Sequence, residues 1–501
     1  MIETLYANLA LGAGQALTLG NLLACLAGCL LGTLIGVLPG VGPLTTIALL
    51  LPFTYDLGPL GALIMLAGIY YGAQYGGSTT AILVNVPGET ASLVTCIDGY
   101  RMAQDGRAGA ALTIAALGSL FAGIFGTFVL ALFGPVLAEL AVRFQAPEYF
   151  SLMTLGLVSA VVLANGSVLK ASAMVFLGLL FGMIGTDSNS GFQRFAFGVP
   201  QLVDGVDFLP LVIGLFGLTE VIRNVARRND TSIVSQRIGR LMLTREEARR
   251  ALPAVLRGTA IGSVLGILPG GGAVLSAFAA YMVEKKIARD PARFGRGAIE
   301  GVAAPESANN SGAQVSFIPL LTLGLPSNAI MALMIGAMMM QGIQPGPEVV
   351  RNDPALFWGL VVSMLIGNLM LVVINLPLVG LWVRLLRTPN RFLFPAILVF
   401  CCIGIYATSS STNLLLMAAF FAVFGIVLAA LDLDVVPFLL GFVLGPLMED
   451  NLRRAMVITR GDPVIFLQRP ICLGLMAMTV ALLVVVVVPA VRRGREKAFA
   501  E

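Results

Sequence analysis

The sequence predicts an all-α polytopic membrane protein: about 11–12 transmembrane helices plus broken or re-entrant elements, arranged as two inverted-topology repeats. Three observations lead there. Of 501 residues, 57% are hydrophobic and only 12% charged, with a mean hydropathy of +0.92, against about 25% charged residues in soluble proteins. Apolar runs recur along the whole chain, and a spanning helix needs about 20 such residues. A Leu-Pro-Gly motif with its surroundings also occurs twice in the same order.

Composition excludes several functions. The net charge of +4, from 31 basic and 27 acidic residues, is too balanced for a nucleic-acid footprint. The chain has no histidine, which removes imidazole relays, Ser/His and Cys/His nucleophiles and His-ligated metals. No catalytic residue is predicted, and the chain does not read as an enzyme. The six cysteines show no paired zinc spacing; Cys25 and Cys29, one helical turn apart, read as small packing residues before a metal pair. The N-terminus has Glu3 and no cationic patch, so it fails as a cleavable secretory signal.

Taken in order, spans are predicted at 17–38, 59–72, 108–133, 149–165, 171–186 and 206–222, then at 303–323, 355–378, 393–408, 414–431, 435–448 and 468–489. The longest polar segment, 223–257, carries nine arginines and reads as a connector; the tail adds Arg492, Arg493, Arg495 and Lys497. Lys and Arg near helix ends stay in the cytoplasm, so both segments are predicted cytoplasmic. The first apolar segment is flanked by Glu3 and Asp56 without a base, which places the N-terminus in the periplasm and the C-terminus in the cytoplasm. The domain organisation is therefore 1–222 as the first membrane repeat, 223–257 as a cytoplasmic basic connector, 258–466 as the second repeat, and 467–501 as an extra transmembrane helix with a basic tail.

The repeat is explicit. Gly32-Thr-Leu-Ile-Gly36-Val-Leu-Pro39-Gly40-Val-Gly42 returns as Gly262-Ser-Val-Leu-Gly266-Ile-Leu-Pro269-Gly270-Gly-Gly272. Val86-Pro87-Gly88, after a polar tract, matches Leu325-Pro326-Ser327 after another; Pro135, Arg143, Pro147 and Phe150 match Pro377, Arg384, Pro389 and Phe392. Equivalent loops differ in charge: Arg143 sits between Glu139 and Glu148, whereas Arg384 is followed by Arg387 and Arg391. Opposite charge character fits opposite sides of the membrane, hence inverted repeats with an odd number of crossings. A parallel duplication is the alternative.

Irregular backbone and polar side chains are tolerated in a bilayer only where they are buried in protein or line a watery cavity. They concentrate in two pairs of tracts. Pro39, Gly40, Gly42 and Thr45 answer to Gly270, Gly271 and Gly272, where a helix restarting after a break would aim free N–H groups at a ligand. Gln74, Gly76, Gly77, Ser78, Thr79 and Thr80 answer to Asn309, Asn310, Ser311, Ser327 and Asn328. These groups suit two tasks, donating to a carboxylate and offering oxygens to a small hard cation. Glu306, Ser307 and Asn85 are the candidates for a sodium site; Glu306 reads equally as a helix cap after Pro305. Lys170, Arg143 and Arg384 read as interface anchors, and Met331–Met340 as deformable packing.

Four stretches carry a family resemblance: Gly36-Val-Leu-Pro39-Gly40-Val-Gly42-Pro43, Tyr71-Gly-Ala-Gln-Tyr-Gly-Gly-Ser-Thr-Thr80, Pro305-Glu-Ser-Ala-Asn-Asn-Ser-Gly312 and Pro319-Leu-Leu-Thr-Leu-Gly-Leu-Pro-Ser-Asn328. They resemble the large membrane subunit of the tripartite tricarboxylate transporters, the TctA family, and the similarity runs from about residue 15 to about residue 490. The resemblance implies a bacterial inner-membrane permease with two partners: a small four-helix membrane subunit and an extracytoplasmic solute-binding protein. It implies secondary transport of citrate or other di- and tricarboxylates, driven by an ion gradient, commonly sodium. No Walker-type phosphate loop is present, in keeping with gradient drive. No cofactor is expected beyond sodium or a proton as coupling ion. The expected mechanism is alternating access around a midplane site, with an ion or solute channel as the first rival, then an intramembrane enzyme and a receptor or scaffold.

Overall fold

In hydrocarbon a backbone satisfies its N–H and C=O groups only within helices or closed barrels, and this chain forms helices. The computed structural model describes residues 2–38, 42–164, 167–187, 189–226, 238–268, 272–385, 390–409 and 411–487. The first half comprises α1 (Ile2–Ala16), α2 (Leu19–Val37), α3 (Pro43–Leu50), α4 (Gly58–Val84), α5 (Leu93–Gln104), α6 (Ala108–Ala141), α7 (Ala146–Leu163) and α8 (Val168–Gly182). A small hairpin, β1 (Gly185–Thr186) with β2 (Gln193–Arg194), leads to α9 (Phe208–Val212), a wider turn at Ile213–Leu218, and α10 (Thr219–Ala226). The second half holds α11 (Arg245–Leu265), α12 (Gly272–Ile287), α13 (Glu300–Val315), α14 (Phe317–Leu323), α15 (Ala329–Met340), α16 (Pro347–Asn352), α17 (Pro354–Asn375) and α18 (Val379–Leu385). It ends with α19 (Asn390–Ser409), α20 (Thr412–Ala430), α21 (Val435–Ile458), α22 (Ile465–Gln468) and α23 (Pro470–Val487).

Among the described residues, six stretches are long and apolar enough to cross a membrane: α2, the run from α3 through α4, α6, α17, α20 and α21; α7, α8, α15 and parts of α19 and α23 are shorter apolar helices. This is the all-α polytopic architecture expected. Two expectations need correction. The span predicted at 59–72 is part of a 27-residue helix that carries the whole tract 70–80 without interruption. Likewise Pro305 does not start a broken element but lies inside α13, which continues to Val315 before the chain turns at Ser316. Helix α13 continues past Pro305, whose missing N–H removes a single bond from the ladder; α4 has its only proline, Pro59, in its first turn, where no such bond is lost. Helix α11 begins within the predicted connector, capped by Thr244; its Arg250 and Arg257 make two-pronged ion pairs with Glu300 and Glu284. The remaining connector residues at 227–237, Arg387, Pro389 and the basic tail from 488 lie outside the described residues.

Close glycine contacts position the two central helices. Gly28, Gly32 and Gly36 of α2 abut the backbone of Met65, Ile69 and Ala73 on α4. Gly258 and Gly262 of α11 and Gly266 at its C-terminal end, each 230 residues later, abut Ala304, Ala308 and Gly312 on α13. Small residues at one-turn spacing let helix backbones touch, the usual source of cohesion where no hydrophobic effect operates. Gly262→Ala should therefore lower the apparent melting temperature, because its methyl would lie 2.8 Å from the Ala308 Cα and overpacking costs about 1–3 kcal/mol. Gly14→Ala, where nothing stands within 4 Å, should leave it unchanged or raise it. A melting curve of each purified variant checks the contrast.

Helix α6 packs against α4, α11, α13 and α17, so α4 and α13 lie in the middle of the bundle. Cys25 and Cys29 sit with their sulfurs 3.7 and 3.8 Å from the carbonyls of Ser363 and Gly367 on α17, a packing role. Lys170 donates to the carbonyls of Leu431 and Asp432, fastening α8 to the end of α20. The Met-rich α15 is buried from Ala329 to Met338.

Candidate functional site

A helix buried on every side is ordinarily apolar on every side. Helices α4 and α13 are not: every residue from Gly61 to Leu83 and from Gly301 to Val315 is buried, yet these stretches carry both polar tracts. The hydroxyls first close on their own helix, Thr79 donating to the Tyr75 carbonyl (3.2 Å) and Ser307 to that of Ala303 (2.8 Å). Such back-bonding satisfies the donor and leaves oxygen lone pairs for a neighbour.

Glu306 is the meeting point. Its carboxylate accepts from the Ser78 hydroxyl of α4 at 2.5 Å and from the Thr95 hydroxyl of α5. One turn on, Asn310 donates to Ser119 of α6 (2.7 Å) and back to the Glu306 carbonyl (3.1 Å). No Lys or Arg among the described residues pairs with this carboxylate, which is 1% exposed. A charge there needs a compensating cation or proton, since an isolated buried carboxylate is costly. Ser311 shares a hydrogen with Ser263 of α11 at 2.6 Å.

Two further contacts cross between the halves. Asn309 of α13 donates to Glu89, in the segment after α4, at 2.8 Å. Asn328, in the segment before α15, donates to Tyr70 of α4 at 3.3 Å and caps α15 through Met331. Asn309 follows Tyr70, and Asn328 follows Glu89, by the same 239 residues. Each contact thus pairs the counterpart of one residue with the counterpart of the other.

Many buried polar atoms on these and the neighbouring helices have no protein partner. Gln74 and Gln314, each 0% exposed, lack one on both amide atoms. The Tyr71 and Tyr75 hydroxyls, the side-chain oxygens of Asn309, Asn310 and Asn375, and the Ser327 hydroxyl are in the same condition. Each glutamine ends a Gly-Ala-Gln triplet, at 72–74 and at 312–314, one residue out of the 239-residue register of the contacts above. An unmet buried polar group costs about 1–3 kcal/mol, so this density marks a place where stability yields to another demand. Between α4, α6 and α17, a cavity lined by Tyr75, Ser78, Thr79, Ser119 and Asn375 offers about 10 Å³, roughly one water.

The residues expected to share a cation are not brought together. Glu306 faces Ser78 and Thr95, whereas Ser307 points at Gly118 of α6, and Asn85 is exposed where it ends α4 in a left-handed conformation (φ 60°). Gly76 presses on Thr33 and Val37 of α2, Gly77 on Glu89, and Thr80 donates to the Gly77 carbonyl (2.9 Å). Gly42 stands at the start of α3; Thr45 donates to the Phe216 carbonyl (3.3 Å). Gly272 opens α12 beside Asn328. Pro39, Gly40, Gly270 and Gly271 lie outside the described residues. Sequence reasoning missed Glu89, Thr95 and Ser119. Glu89 carried a signal: it is the sole acid between Asp56 and Asp98.

The profile described as "Tripartite tricarboxylate transporter TctA family" matches residues 22–440. An Agrobacterium vitis protein, "Uncharacterized 52.8 kDa protein in TAR-I ttuC' 3'region", is 53% identical over 497 residues, covering 99% of each chain. A second from the same organism, "Uncharacterized protein in TAR-II ttuC' 3'region", is 52% identical over 240 residues, 48% of this chain and 99% of its own length. No solved structure matches the chain.

Proposed function

The chain belongs to the tripartite tricarboxylate transporter TctA family, and on that premise we propose that it is the large permease subunit of a binding-protein-dependent secondary transporter importing di- or tricarboxylates with sodium. Membership makes it a multi-pass membrane component of a tripartite tricarboxylate transporter, not a member of an enzyme family. Its partners are a small four-helix membrane subunit and an extracytoplasmic solute-binding protein. Residues 1–222 and 258–466 form inverted repeats, joined by the connector 223–257 and followed by the C-terminal helix and tail 467–501. The N-terminus is periplasmic and the C-terminus cytoplasmic. In favour of that orientation, Arg107 pairs with Glu247 and donates to the Gly297 carbonyl, so three charged loops share one end of the bundle.

The observation that carries the reading is the meeting of α4 and α13 at Glu306, which accepts from the hydroxyls of Ser78 and Thr95, on two helices that also carry the unpartnered amides of Gln74 and Gln314. Neutral donors suit an anion that must later leave, because a desolvated ion pair with a fixed base gives no assured gain. Sodium at Glu306, held with the oxygens of Ser78 and Thr95, would offset the carboxylate and attract the substrate. With room for about one water beside Ser78, the site cannot admit a carboxylate until its walls part, which supports alternating access.

The test is reconstitution of the chain with both partners in proteoliposomes. Labelled citrate should accumulate only under an inward sodium gradient, and excess unlabelled citrate inside should drive counterflow. Uptake without gradient dependence or counterflow would identify a channel.

A further inference from the structure

Asp98 has no role in the function argued so far, although it is a wholly buried acid. It lies on α5, three residues after Thr95 and therefore on the same face of that helix. The opposite face is open, with Ile97 and Arg101 exposed. The Asp98 carboxylate reaches into the second half of the chain. One oxygen accepts from the backbone amides of Gly295 (2.9 Å), Gly297 (2.8 Å) and Ala298 (2.9 Å), and the other from the Tyr281 hydroxyl of α12 (3.0 Å).

The sequence builds this receptor locally. Gly295 and Gly297 stand at φ 84° and 89°, a conformation that glycine takes without strain, and it lets the amides converge on one oxygen. Phe294 and Tyr281 meet edge to face with ring centroids 5.5 Å apart, which holds the Tyr281 ring in place. Helix α13 follows from Glu300 with no side-chain cap of its own, and Gly301 in its first turn leaves no room for a side chain against Asp98. A carboxylate there also faces the positive pole of the helix.

Asp98 thus ties α5 to the start of α13, and on the same two helices Thr95 donates to Glu306. We propose that Asp98 is a positioning residue of the Glu306 site: by anchoring α5 to the amides that lead into α13 it holds the Thr95 hydroxyl in place, and so sets the affinity for sodium without touching the ion. This inference rests on the sodium-coupled reading above. Sodium between Glu306 and Thr95 replaces the hydrogen bond that joins them, so the place of Thr95 must be fixed from elsewhere. Asp98 does this one helical turn away, through four bonds to a charged acceptor, each about twice as strong as a bond between neutral groups.

The sodium dependence of citrate uptake, measured on the chain with both partners in proteoliposomes, tests it. Asp98→Ala should raise the half-saturating sodium concentration at least about fivefold, and Thr95→Ala by a similar factor. The double variant should be no worse than Thr95→Ala alone, because Asp98 acts through Thr95. An anchor that serves the fold alone would lower the maximal rate and leave half-saturation unchanged. Asp98→Asn keeps an oxygen for the three amides but loses the charge; it should raise half-saturation about twofold, and it carries the test if Asp98→Ala does not fold. Wild-type half-saturation in Asp98→Ala, or in Asp98→Asn where the alanine variant does not fold, would overturn the proposal, as would shifts that multiply in the double variant. Wild-type uptake that needs no sodium would instead sink the sodium-coupled reading, and this inference with it.

Discussion

Glu306→Gln is expected to reduce sodium-driven citrate uptake by at least about tenfold, while the protein still inserts and purifies as wild type. The carboxylate is held by two hydroxyls, Ser78 and Thr95. A hydroxyl can donate or accept, so both can still bond a carboxamide of the same shape, and the fold loses little. What disappears is the negative charge, with the means of holding a cation beside the substrate. Glu306→Asp keeps the charge on a shorter arm and should retain more uptake with a raised sodium requirement. Asn310→Ala should also lower uptake, because it frees Ser119 and removes the amide oxygen that now has no partner. Sodium-dependent uptake unchanged in both Glu306→Gln and Asn310→Ala would refute the assignment.

The hydropathy of the chain made α2, α6, α17, α20 and α21 readable, because lipid imposes one solution on a long apolar run. It failed where charge is neutralised across distance. Arg250 and Arg257 make 245–257 look like a water-bound connector, yet they pair with Glu300 and Glu284, letting α11 lie along α13. Such pairing is invisible in a local window. Polar composition misled in a second way. The tracts 70–80 and 305–314 look like broken backbone, since Gly and Pro weaken isolated helices. In the fold, glycines at one-turn spacing bring α2 against α4 and α11 against α13, and that contact offsets their poor propensity.

The site was legible in type more than in membership. Glu306 stood out as the single acid of its tract, and Asn309, Asn310 and Ser78 were found from density of polar groups in apolar surroundings. Thr95 and Ser119 were not, since one hydroxyl in an otherwise ordinary helix carries no local signal; only the approach of α5 and α6 to α13 gives it meaning.

Gln74→Leu and Gln314→Leu are expected to make the protein more stable and less active at once. Each glutamine is wholly buried with neither amide atom bonded to protein, so a leucine of similar volume removes an unmet demand of about 1–3 kcal/mol. The apparent melting temperature of each variant should rise. If these amides wait for a carboxylate or its accompanying ion, citrate uptake should fall about tenfold or more in each, and further in the pair. A purely architectural amide predicts a different pattern, in which stability and uptake fall together as packing around α2 or α11 is disturbed. Melting curves and uptake measured on the same preparations separate the two: a lower melting temperature with proportionate loss of uptake would return Gln74 and Gln314 to the scaffold. Gain of stability with loss of transport is the pattern of a site whose polar groups are kept against the interest of the fold.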